Sequence, residues 1–330
     1  MTSAVIAPSL SADVVEQADH LEMLVLESKS ESASVSDLLH SMTIGGSAEV
    51  LDVDPRAHDG LSDPDDEETV IDPGGEVLEA SGGAVLAEIE FREAACSGSY
   101  PFSINEYGVM KIRRGYQSSP YIFMLLLTQF GGTPKIGKKR VSTIDATRTF
   151  EDLALVAASE YLGWDDDHVI AYPFGFPRRL TPRGFEDAVN SLCQEIREGQ
   201  GCRKRPNVAD QKDATLDIVV VRRFPDRREG QLVAFGQCAT GADWRSKLTD
   251  LQPETFCKLW MLDSLTVDPV RMFFVPHAIE ERQWLHAAIS AGVIFDRSRM
   301  AYYSTFPHEK RLRDEISDWC SAVLAAKVRS

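Results

Sequence analysis

Apolar positions along the chain change period from segment to segment, and each change marks an element. Residues 218–221 (IVVV) and 232–235 (LVAF) flank a turn-like stretch, FPDRREG, that contains Pro225, Asp226 and Gly230, a pattern that predicts an antiparallel hairpin. Upstream, Phe150, Leu153, Ala154, Ala157, Ala158 and Leu162 fall on one helical face, and Gly163 supplies a stop signal. Downstream, Asp243 as N-cap and a Trp244, Leu248, Leu251 stripe predict a helix, and PETFCKLWML predicts a second. Residues 270–276 (VRMFFVP) read as a short buried strand. A helix over 279–290, a strand-like VIFDRSRMAYY and an amphipathic helix over 309–326 complete the order. The stretch between Ala171 and Asp213 reads as an insertion. It holds one helix, with Thr181 as N-cap, Pro182 at its first position and Gly199 at its stop.

The first part of the chain is patterned differently. Residues 14–42 have apolar positions at helical spacing and predict a short helical pair too small to fold alone. From about Ala84 the pattern reads as strands, AVLAEIEF and then YPFSINEYGVMKIR, followed by a buried helix, YIFMLLLTQFGG. Its seven-residue apolar run is too short to span a bilayer. Three regions follow: an acidic helical and linker segment (1–83), a small α+β module (84–145) and a core (146–330).

Charge sharpens this division. Residues 1–90 hold 21 Asp plus Glu against 2 Lys plus Arg, a net of −19, which leaves +3 to residues 91–330. The stretch DPRAHDGLSDPDDEETVIDPGGE is acidic, rich in Pro and Gly and almost without large apolar residues, the composition of a solvated linker. The same charge also suits a mimic of DNA laid over the chain's own basic groove, or a dock for a basic partner.

The candidate chemistry lies on the hairpin. Asp217 opens its first strand and Gln237 closes its second, so both fall at one end of the sheet. A magnesium ion needs only one or two protein oxygens beside water and substrate phosphate, so a carboxylate and an amide carbonyl suffice. The same pair also suits an ordinary surface hairpin.

With Asp213 just before it, Asp217 followed on the next strand by Gln237-Cys238-Ala239 resembles the PD-(D/E)xK nuclease superfamily, in particular the Mrr-like restriction endonucleases. The resemblance implies an α/β fold: a restriction-endonuclease-like mixed sheet flanked by helices, with a right-handed crossover placing residues 237 and 273 on parallel strands. It implies Asp217, Gln237 and Glu151 as metal ligands, with Asp213 as an additional acid and Glu160 as a weaker alternative to Glu151. The cofactor implied is Mg²⁺, or Mn²⁺. One departure stands out: the motif has lysine where this chain has Ala239. In the family that lysine stabilises charge developing at the phosphorus. Lys247, with Arg245 nearby, is the available substitute on the helix after the hairpin. The implied catalytic set is therefore Asp217, Gln237, Lys247 and Glu151.

The remaining signals are broader. Basic stretches occur at 135–142 (KIGKKRVS), 178–183 (RRLTPR), 202–206 (CRKRP) and at Arg222, Arg223, Arg227 and Arg228, suited either to a phosphate backbone or to a solvated face. EGQGCRKR lacks the spacing of a phosphate-binding loop. Six cysteines without zinc spacing, and no signal peptide or transmembrane segment, lead to a cytoplasmic expectation. His277, after FFVP, is more often a loop residue than a ligand. The resemblance implies a metal-dependent nuclease that cleaves DNA, an effector of bacterial anti-phage defence or restriction, working with a companion ATPase, helicase or sensor. The alternative is a nuclease-like fold without chemistry, serving as a structural or DNA-contacting subunit.

Overall fold

A computed structural model describes residues 7–9, 11–45, 73–116, 118–163, 168–175, 184–205, 214–304 and 310–328, and the elements fall into two units. The smaller contains α1 (Val14–Glu27), β1 (Ser32–Ser34), α2 (Val35–Gly45), α3 (Pro73–Cys96) as far as Phe91, β2 (Phe102–Ile104) and β3 (Val109–Ile112). Asp13 caps α1 by accepting the Val15 N–H at 2.8 Å, and Ala18, Leu21 and Val25 are buried at helical spacing along it. The strands form an antiparallel sheet in the order β1-β3-β2. A Cβ at Gly82 would stand 3.2 Å from Val35 Cγ1, so α3 lies directly on α2.

The stretch AVLAEIEF is helical, part of α3, where the sequence pattern suggests a strand. Val85, Ile89, Arg92 and Cys96 are buried, and they recur every three or four residues. Alternation over eight residues fits both periods, and the Ala and Glu content tips the segment towards helix.

The larger unit begins with Arg92–Pro101 and resumes at Arg113. Its elements are α4 (Pro120–Phe130), β4 (Lys135–Ile136), β5 (Lys139–Arg140), α5 (Ala146–Tyr161), β6 (Val169–Pro173), α6 (Phe185–Ile196), β7 (Ile218–Arg222) and β8 (Leu232–Cys238). A 3₁₀ turn (Trp244–Lys247) follows, then α7 (Pro253–Trp260), β9 (Val270–Phe274), α8 (Glu281–Ala291), β10 (Val293–Phe295), α9 (Arg297–Tyr303) and α10 (Lys310–Val328). The expected hairpin is β7–β8, antiparallel with Ile218 opposite Gly236. It sits inside a five-stranded mixed sheet of order β10-β9-β8-β7-β6, antiparallel across β6, β7 and β8 and parallel across β8, β9 and β10.

Alternation along the strands separates two faces. Val219, Val221, Val233 and Phe235 point into one core with Phe185, Val189 and Leu192 of α6 and Phe256 and Cys257 of α7. Intervening positions, among them Ile218, Val220 and Gly236, turn to the other face, where α5 lies against β6, β7 and β8 with Phe150, Leu153, Ala154, Ala157 and Ala158 buried. Beyond the end of β8, Ala239, Trp244, Leu248, Phe273, Val275 and Ile294 make a further apolar cluster with Ala287 and Ala291 of α8.

Two sequence expectations shift. VIFDRSRMAYY is a strand only as far as Phe295, because Asp296 accepts the Arg299 N–H at 3.0 Å and starts α9. The inserted helix begins at Phe185 behind Gly184, which offers no side-chain cap, and ends at Ile196 with Arg197 in the left-handed conformation. Thr181 and Pro182 lie outside the described residues. No helix among the described residues is long and apolar enough to cross a membrane.

Gly236 is where the sheet tolerates least. A Cβ there would stand 2.5 Å from Ile218 Cγ1 and 2.9 Å from the Phe274 ring. Gly236→Ala is expected to lower stability by about 1–3 kcal/mol through overpacking, read as a drop in the urea midpoint with unchanged slope.

Candidate functional site

Asp217 stands where β7 begins and is held from both neighbours. Its N–H donates to the Gly236 carbonyl at 2.9 Å, and its own carbonyl accepts from Phe174 at 2.6 Å and Gly175 at 2.9 Å, just past the end of β6. Its carboxylate Oδ2 accepts the Cys238 N–H at 2.7 Å. This side chain therefore continues the β7–β8 ladder one step past the last paired residues. Gly175 makes room for it, since a Cβ there would come within 3.2 Å of Asp217 Oδ1.

Cys238 marks the acidic side of this edge. The residue keeps some exposed surface, yet its thiol is densely enclosed. Burial pushes the thiol well above its ordinary pKa, and the negative charges of Asp217, Glu151 and Asp152 add to the shift. The structure thus brings Glu151, on the second turn of α5, to the same neighbourhood as Asp217. It adds Asp152, which the sequence pattern did not single out.

Gln237 is not part of that group. Alternation turns it to the opposite face from Cys238, and it is 5% exposed. Its Oε1 accepts the N–H of Leu251 at 3.2 Å, so the amide carbonyl satisfies a buried backbone donor. Ala239, at the motif-lysine position, is 2% exposed and belongs to the apolar cluster around Trp244 and Phe273.

Lys247 lies on the 3₁₀ turn rather than on the expected α-helix, and its Nζ is 3.4 Å from Asp243 Oδ1. Asp243 makes no side-chain capping bond. The helix stops short because Trp244, Leu248 and Leu251 are each drawn into the core, and Leu251 is pinned by Gln237 through its N–H and by Arg271 through its carbonyl. His277 stacks on Trp244 with ring centroids 6.2 Å apart, and the Arg245 guanidinium lies 4.7 Å from the centroid of the same indole.

Among the described residues, no three His, Cys, Asp or Glu side chains are placed to hold one metal ion. The Gln237 carbonyl, bonded to Leu251, does not join the Asp217 and Glu151 carboxylates around Cys238 as the expected Mg²⁺ site has it. Asp213 lies outside the described residues. Glu160 is at the far end of α5 from Glu151.

The basic stretches separate by role. Arg222 donates to the Leu162 carbonyl, and Arg223 to the Glu195 carbonyl and, at 2.7 Å, to its carboxylate. Arg203 reaches the carbonyls of Met261 (3.1 Å) and Leu262 (3.0 Å), and Arg205 that of Leu259 (2.8 Å). Arg228 lies 3.9 Å from Asp226. Residues 178–183 lie outside the described residues.

A cleft of about 450 Å³ opens at the other end of the hairpin, lined by Asn190, Arg197, Glu198, Gln200, Glu229 and Asp263 among others. Sequence reasoning passed over it. The signal was the run REGQG: Arg197, Gly199, Gln200 and Gly201 all have positive φ. Glu198 closes its floor by accepting the N–H groups of Gly230 (2.7 Å) and Thr266 (2.6 Å).

No family model, curated protein or solved structure matches this chain.

Two outcomes follow from the geometry. Gln237→Met leaves the buried Leu251 N–H without its acceptor and is expected to cost about 1–3 kcal/mol in urea unfolding; an unchanged midpoint would mean the bond carries no weight. Burial also pushes Cys257 up to about 12, alongside the raised Cys238. A thiol raised in the native state contributes stability that is complete below its unfolded pKa of about 8.5 and is lost as pH rises through the folded value. Urea midpoints should therefore fall from about pH 8.5 upwards, and Cys238→Ala should make that fall shallower.

Proposed function

We propose that the chain is a DNA-contacting subunit built on a restriction-endonuclease-like core, without phosphodiester hydrolysis of its own. Support for the core comes from the succession of α5, β6, the β7–β8 hairpin, α7 and β9, antiparallel first and parallel after β8. The loss of chemistry rests on one observation above all: the Gln237 carbonyl accepts the buried Leu251 N–H, on the face opposite the Cys238 thiol that Asp217, Glu151 and Asp152 influence. Ala239 in the apolar cluster agrees with it, because a lysine there would place an ammonium in a dry core. The biological setting that goes with this reading is an anti-phage or restriction assembly in which a companion ATPase, helicase or sensor supplies what this chain lacks.

A second reading, a Mg²⁺-dependent nuclease, is favoured by the three carboxylates, Asp217, Glu151 and Asp152, whose charges all act on the Cys238 thiol. It requires Lys247 to leave Asp243 and Gln237 to release Leu251.

Plasmid DNA incubated with Mg²⁺ or Mn²⁺ decides between them. The expected result is duplex binding without nicking, for wild type and for Lys247→Ala alike. Nicking by wild type that is lost in both Asp217→Ala and Lys247→Ala would replace the proposal with the nuclease; absence of duplex binding would remove both.

A further inference from the structure

Between α4 and α5 the chain makes a two-stranded arm, β4–β5, with no evident part in holding the fold together. Lys135 pairs with Arg140 and Ile136 with Lys139, and Gly137, at φ +60°, turns the chain between them. All six residues from Lys135 to Arg140 are exposed. The base is closed by backbone bonds from Val141 to Pro134 (2.9 Å) and from Ala146 to Gly132 (3.2 Å). A Cβ at Gly132 would overlap Thr147 Oγ1 at 2.3 Å, so the arm springs directly from the first turn of α5.

Two features of the arm run against stability. A two-stranded ladder without a buried face is marginal in water. Lys135 and Arg140, directly opposite each other, add like-charge repulsion to it. None of the four cations, Lys135, Lys138, Lys139 and Arg140, meets a carboxylate or a backbone carbonyl among the described residues, whereas Arg203, Arg205, Arg222 and Arg223 each donate to a backbone carbonyl. A polyanion would relieve this repulsion. The arm has no aromatic residue from Gly132 to Ala146 on which bases could stack, which argues against single strands. A two-stranded ribbon enters the major groove of B-form DNA, whereas the deep, narrow groove of duplex RNA excludes it.

We propose that β4–β5 is a phosphate-contacting arm that docks on duplex DNA. It rests on the DNA-contacting reading for the choice of partner, but not on whether the core cuts.

The test is anisotropy of a labelled blunt DNA duplex titrated with the full chain over a range of salt concentrations. Wild type is compared with a variant carrying Lys135→Gln, Lys138→Gln, Lys139→Gln and Arg140→Gln, and with Arg227→Gln/Arg228→Gln as a control. The arm variant is expected to bind about 10-fold or more weakly, with the log–log salt slope shallower by about 3 to 4, while the control stays near wild type. Its urea midpoint should match or exceed that of wild type, which separates lost contact from lost fold. Duplex binding by wild type that the arm variant retains in full would overturn the arm and leave the DNA-contacting reading standing. Wild type that binds no duplex would overturn both. Tighter binding of duplex RNA than of DNA, lost in the same variant, would overturn the assignment to DNA.

Discussion

An α-helix leaves its last carbonyls without intrahelical partners, and in the larger unit arginine side chains from neighbouring strands and loops take them. Arg222, the last residue of β7, donates to Leu162 at the end of α5, and Arg223 to Glu195 in the last turn of α6. Arg205 and Arg203 take Leu259, Met261 and Leu262 around the end of α7. Arg271, on β9, spans the Ser290 carbonyl of α8 and the Leu251 carbonyl ahead of α7. Except at Leu251, which precedes α7, these contacts place a fixed positive charge near the negative end of a helix dipole, and each answers an acceptor that would otherwise cost roughly 1–3 kcal/mol if buried unmet. Guanidinium suits the task because its donors fork to two acceptors and it does not lose its proton. Strand-borne arginines thus tie helices on both faces of the sheet to the strands between them.

This constraint also explains why charge was hard to read from the sequence. CRKRP and the Arg222-Arg223 pair have the same appearance as KIGKKR, yet the first two are largely consumed by backbone carbonyls and the third is exposed throughout. Nothing local to those stretches announces it, because their partners lie 28 to 60 residues away. The hairpin, α5, α7, β9, α8 and α10 were legible because each carries its own period over enough residues. AVLAEIEF and VIFDRSRMAYY were not. Eight residues of alternation fit helix and strand alike, and one capping aspartate, Asp296, outweighed the strand tendency of the residues after it.

The candidate site was half legible for a related reason. Asp217 and Glu151 do approach a common neighbour in the Cys238 thiol, as strand ends and helix starts at one edge of a sheet allow. Gln237 was assigned to the same group on position along the strand. Its face depends on the parity of β8, and its partner depends on where Leu251 lands after an irregular segment. Neither is written in a motif. The thiol that alternation sends towards α5 instead gathers carboxylates, each of which makes its ionisation harder.

Asp217 and Gln237 are therefore both engaged as backbone substitutes. The carboxylate takes the Cys238 N–H where β7 has no residue to offer, and the amide takes the Leu251 N–H where no strand or helix does. A metal centre at this edge would draw on oxygens that already accept these bonds, and the Leu251 donor, sealed in the core, has no water to turn to if its acceptor moves. The same reasoning makes the β4–β5 arm distinctive. Arg203, Arg205, Arg222, Arg223 and Arg271 are anchored to backbone carbonyls, and on the arm positive charge is held out on a ladder that its own repulsion weakens. Polar groups at the sheet edge are committed inward and those of the arm are held outward, and it is this contrast that the proposed contact with a polyanion rests on.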